Sequence, residues 1–154
     1  MANGQPICPK CKCYLRKDGG CTHCERTALL DGKPRYVKDQ AEAEKILSEP
    51  VEVKDLRGHT VVFSKAKLLS DDAHIYADKS TGNYARRRRL LLYAVDTVKR
   101  GDTAMGMHMG SDGIMHRRYK YRNSYKDDKG RTFKVLVLAD EKGDVREVFD
   151  FYDD

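Results

Sequence analysis

Four cysteines in two Cys-x-x-Cys pairs, Cys8 and Cys11 in CPKC and Cys21 and Cys24 in CTHC, stand within the first 24 residues. Thiolates at that spacing converge in pairs on one ion, and four of them around Zn²⁺ close a tetrahedral structural site. So short a segment cannot bury enough apolar surface to offset its ordering entropy, and coordination supplies what packing cannot. Lys12 to Gly20 join the pairs, and Asp18-Gly19-Gly20 can reverse the chain to bring the second pair onto the first. We read a small zinc ribbon over residues 1–30, with Lys10, Lys12, Arg16 and Lys17 softening the thiolate charge. Cys13 is a fifth thiol and His23 could replace one cysteine, so a ligand set of three cysteines and one histidine stays open. An odd cysteine count without a hydrophobic leader argues against a disulfide framework and for a cytoplasmic protein.

A second group of residues points to phosphodiester chemistry. Residues 114–125 alternate as a strand does, placing His116, Arg118, Lys120 and Arg122 on one face and Met115, Arg117, Tyr119, Tyr121 and Tyr125 on the other. Cations at intervals of about 6.6 Å roughly match a phosphate backbone, and Tyr119 and Tyr121 offer rings for stacked bases. Protection of an exposed edge strand is the plainer use of such a row. His116 adds a group that titrates near neutrality. Metal-free RNA cleavage needs a base for the 2′-hydroxyl proton, an acid for the leaving 5′-oxygen and cations on the phosphorane. His74 and His116 are the candidate base and acid, with Arg118 and Lys120 as candidate catalytic cations. Arg86, Arg87, Arg88, Arg89, Arg117 and Arg122 are further candidates for contact with nucleic acid, while His59 and His108 fit the pattern less well. Asp71-Asp72 and Asp127-Asp128 fall in turns, not in a two-metal carboxylate cluster.

Charge agrees with a polyanionic partner. Lys plus Arg number 30 against 24 Asp plus Glu, a net charge of +6. Residues 140–154 carry a net −5, leaving +11 for residues 1–139, and residues 84–126 hold eleven bases against three acids. RNA is the natural partner of such a stretch. The acidic end, with Phe149, Phe151 and Tyr152 between its carboxylates, could instead dock on a protein or fold over the basic cleft of its own chain. No run approaches the ~20 apolar residues of a membrane span.

These side chains need elements to hold them. Residues 31–50 read as a linker with a short helix over 38–48, stopped by Pro50. A second domain is expected over residues 51–154. It opens with strands over 51–53 and 59–63, followed by a short helix over 65–69 with Ser64 as its cap. The main helix is predicted over 83–99, capped by Thr81 or Asn83 and ended by Gly101, with Leu91, Ala94, Val95 and Val98 as its apolar stripe. Arg86 to Arg89 sweep about 300° around such a helix, so at least one of them points toward the domain body unless that end overhangs it. Residues 104–113 read as an edge strand or mobile loop, and 114–125, 132–139 and 144–152 as an antiparallel meander. The fold class is α+β: a small zinc ribbon followed by a compact domain of helices packed on an antiparallel β-sheet.

The run Val61-Val62-Phe63-Ser64-Lys65, then His74, then Tyr93-Ala94-Val95-Asp96-Thr97-Val98, then Arg118-Tyr119-Lys120 and two closing strands resembles the phage-associated barnase, EndoU, colicin and RelE-like nucleases. The resemblance covers residues 59–152. It implies helices on a four-stranded antiparallel sheet that cuts RNA without a metal, with His74 at the edge of the cleft and Arg118 and Lys120 inside it. It also implies a toxin-like role with an immunity protein or a phage structural protein as partner. The chain departs from that pattern at Lys99-Arg100-Gly101, where a proline is usual, and at Asp150-Phe151-Tyr152, where a hydroxyl residue is common.

Overall fold

A computed structural model describes residues 6–68 and 89–154. The chain forms two compact units, residues 1–33 and 34–154. His74, Arg86, Arg87 and Arg88 lie outside the described residues, as do the expected caps Thr81 and Asn83.

Among its described residues the first unit is a turn followed by a helix. Its β structure among the described residues is one antiparallel bridge, Ile7 to Tyr14. Between them the Cys8 N–H donates to the Cys13 carbonyl and the Lys12 N–H to the Cys8 carbonyl, with Lys12 at φ 65° to close the loop. The second cysteine pair opens helix α1 (Thr22–Asp31), whose N-cap Cys21 accepts the Cys24 N–H through its sulfur. No breaker follows until Gly32, so the helix runs on.

The second unit is an α+β layer structure. Helix α2 (Gln40–Ile46) starts at Asp39, whose carboxylate accepts the Glu42 N–H. Expected only to connect, it belongs to the core: Ala43, Ile46 and Leu47 are buried, as is Val37. Strands β1 (Val51–Lys54) and β2 (Thr60–Phe63) follow, then the short helix α3 (Lys65–Leu68). Helix α4 (Leu91–Arg100) has Leu90 at its N-cap, and the predicted start at 83 lies outside the described residues. It is buried at every position from Leu91 to Val98, not along one stripe, because Tyr93, Asp96 and Thr97 turn inward to meet Tyr125. Strands β3 (Asp102–Met109), β4 (Met115–Lys126), β5 (Thr132–Lys142) and β6 (Val145–Asp153) complete the unit.

The strands form one six-stranded sheet in the order β1-β2-β6-β5-β4-β3. All pairs are antiparallel except β2 with β6, so the sheet is mixed where an antiparallel one was expected. Strands so far apart in sequence carry no local signal of direction; only hairpin neighbours do. The acidic C-terminal residues are not a free tail. They make β6, between β2 and β5, with Phe151 fully buried.

Helix α4 packs on β5, β4 and β1, and α3 on β6. Gly101 ends α4 with an ordinary φ of −85°, so its role is spatial. A Cβ there would meet the carbonyl oxygens of Thr97 and Arg122, each at 2.5 Å. Gly101→Ala is therefore expected to cost about 1–3 kcal/mol, read from the urea unfolding midpoint.

Candidate metal centre and histidine face

The two cysteine pairs of the first unit meet. The sulfurs of Cys8 and Cys24 lie 3.6 Å apart and those of Cys11 and Cys21 3.4 Å apart, and all four fall within 4.8 Å of one another. A tetrahedron of 2.3 Å metal–sulfur bonds has edges of about 3.8 Å, so these four could hold one metal ion. None is in a disulfide. Backbone N–H groups of Cys11 and Lys10 draw the Cys8 thiol down to about 6, while the Cys21 and Cys8 thiols hold Cys24 up to about 12. Crowded thiols cannot all ionise without a cation among them. Cys13 is exposed and points its sulfur at the Cys11 carbonyl, and His23 is exposed on α1; neither joins the cluster. Arg16 braces the loop instead of facing the sulfurs: its guanidinium bonds Glu25, at 2.8 Å through one nitrogen, together with Asp18 and Thr22.

In the second unit β4 alternates as read. Tyr119 and Tyr121 turn inward and His116, Arg118, Lys120 and Arg122 to the other side. The two tyrosines are not stacking platforms. Tyr121 has no exposed surface, and its hydroxyl donates to Asp55 at 2.9 Å. Tyr119 is covered by the Arg146 guanidinium, 3.5 Å from its ring centre. Burial and the Asp55 carboxylate hold the Tyr121 hydroxyl up at about 12.

The cationic row is partly committed. Arg118 donates to Asp140 at 2.8 Å and lies over the Phe149 ring at 4.4 Å. Arg117, on the opposite face, reaches Glu141 at 3.9 Å. Lys120 and Arg122 are exposed, and Arg89 lies over the Tyr36 ring.

At the hairpin end the register places His108 directly opposite His116, on one face of the sheet. His116 Nε2 lies 3.0 Å from a carboxylate oxygen of Asp112, which also accepts the Ile114 N–H. The Ile114 N–H, then His116, hold the Asp112 carboxyl below its usual range. Gly110 leaves the room: a Cβ there would stand 2.7 Å from Asp112 and 2.9 Å from the His116 ring. Both histidines line a cavity of about 330 Å³ with Asp140, Lys142, Glu147 and Phe149. Lys142 pairs with Glu147 at 3.6 Å and Arg118 with Asp140, so these rim charges are balanced.

His108 and Asp112 were absent from the sequence-derived site, yet a signal existed. Gly110 to Ile114 join two alternating runs, and pairing residues symmetrically about the central Asp112 sets His108 against His116.

No family model, curated protein or solved structure matches the chain. Among the described residues, no helix is long and apolar enough to cross a membrane.

Proposed function

We propose that this protein acts on RNA in the cytoplasm: the first unit is a small domain held by structural zinc, and the second an endoribonuclease that needs no metal. The observation carrying the proposal is the cross-strand pair His108 and His116, with His116 oriented by Asp112, in a cavity beside Arg118. Two imidazoles on one face can divide the work of base and acid, and a carboxylate on one of them fixes its orientation and tautomer. His116 then takes the role of acid, delivering a proton to the leaving 5′-oxygen. His108 serves as base toward the 2′-hydroxyl, in the place first given to His74. Arg118, steadied by Asp140 and Phe149, supplies charge to the phosphorane, and Lys120 and Arg122 hold the strand that leads from it. Zinc, with four sulfur ligands and no open position, takes no part in the cleavage. The resemblance to the phage-associated nucleases supports the same reading and adds a toxin-like role.

Incubating the full chain with total RNA, with and without EDTA, tests this. Fragments are expected in both, and His116→Ala should slow cleavage about 10²-fold or more. Intact RNA at high protein concentration, or undiminished cleavage in a His108→Ala, His116→Ala double variant, overturns it.

A second reading, non-catalytic RNA binding, is favoured by one fact: Arg118 is already neutralised by Asp140. It would show as steeply salt-dependent binding of RNA that stays whole.

A further inference from the structure

The two edges of the sheet are built differently. β1 has four residues, follows Pro50, carries Glu52 and Lys54, and lies against α4, the usual protections of an edge. β3 has eight residues, all exposed, and among the described residues it pairs only with β4. It contains no proline, lysine or bulge. On one face it presents Met105, Met107 and Met109, each more than half exposed, and on the other the small residues Ala104 and Gly106 leave the backbone open.

We infer that β3 pairs antiparallel with β3 of a second copy of this chain, on a two-fold axis through Gly106, joining two six-stranded sheets into one. About that glycine β3 is symmetric at Met105 and Met107. Met105 falls opposite Met107 of the second copy, and Met107 opposite its Met105, which buries these two methionines against their counterparts, while Met109 falls opposite Thr103. On the other face Ala104 falls opposite His108, and Asp102 becomes the diagonal neighbour of that His108, opposite in charge when the imidazole is protonated. Gly106 meets only Gly106, with open space around its Cα. A strand whose ends complement each other under a two-fold rotation fits its own copy better than an unrelated strand, and the rotation closes the assembly at two chains.

Light scattering on the full chain in reducing, zinc-containing buffer tests this. The expected mass is twice 17.6 kDa. Met105→Lys with Met107→Lys sets like charges opposite one another across the axis and should yield a single chain with an unchanged circular dichroism spectrum. Leu56→Lys, at an exposed apolar position between β1 and β2, should remain a dimer. A single-chain mass for the wild type at every concentration overturns the inference. So does a dimer that survives the double lysine substitution, or a series of larger assemblies, which means open head-to-tail pairing.

Discussion

Chelating the metal proposed for the cysteine cluster, or replacing Cys8 or Cys24 by serine, is expected to unfold residues 6–33 while the described residues of the second unit stay folded. Among the described residues of the first unit only Cys8 and Arg26 are buried, so no apolar core survives the loss of the centre. Its helix has ten residues, short of the ~12–15 at which an isolated helix becomes even marginally stable. If the cluster holds zinc, as proposed, its apparent binding free energy, on the order of 10–16 kcal/mol for structural sites, is folding free energy. Amide signals of residues 6–33 should collapse into the unfolded range on chelation and return with zinc. Cys13→Ser, outside the cluster, should leave them in place. Because the ligands must shed their protons, the metal should be lost more readily as pH falls. Dispersed signals that persist in the chelated protein would show that the sulfurs are not what holds this unit.

Asp55→Ala should carry the largest cost of any single substitution in the second unit. Asp55 sits between β1 and β2 and accepts the N–H groups of Arg57 at 3.0 Å and His59 at 2.9 Å, the Tyr121 hydroxyl at 2.9 Å and the Arg146 guanidinium at 3.1 Å. Arg146 also donates to the Tyr121 oxygen at 2.8 Å. Taking the carboxylate away leaves a largely buried guanidinium and a buried phenol without their acceptor, at a cost of about 3–5 kcal/mol. Asp55→Asn should cost less, and an apolar replacement of Asp55 and Arg146 together should recover much of the loss, since it strands no charge. Urea midpoints of the four proteins measure this. Equal midpoints for wild type and Asp55→Ala would remove the network from any account of stability.

The same residue sets a pH dependence. Burial pushes the Asp55 carboxyl up, but the His59 N–H, the Tyr121 hydroxyl and the Arg57 N–H outweigh it and leave the group below its ordinary value. A depressed carboxyl contributes stability in full above its unfolded pKa of about 3.9 and loses it as the pH falls through the lower folded value. Thermal stability of the wild type should therefore decline on acidification below about pH 4, and Asp55→Asn should flatten that decline.

What could be read from the sequence was local. The Cys-x-x-Cys pairs, the turn at 127–130 and the alternation of β4 each depend on residues a few positions apart, and the structure carries all of them. Alternation divides β4 into two faces without saying which is inside. That is settled by Asp55, sixty-six positions before Tyr121, and by Arg146 twenty-five positions after it. The tyrosines looked available for bases because their partners were distant. For the same reason α2 passed for a connector. The histidine pair was within reach, since a hairpin turn fixes its own register; the distant His74 drew attention from the nearer His108.

The position of β6 bears on biosynthesis. The last strand in chain order is wedged between the β1–β2 hairpin and the β3–β5 meander, and each touches the rest of the sheet through it. A ribosome emitting this chain releases two incomplete half-sheets before it releases the piece that joins them. Until residue 153 emerges, Val61, Phe63 and Val137 lack the surroundings that bury them in the finished protein. The nascent chain therefore exposes apolar strand edges for longer than a simple meander would.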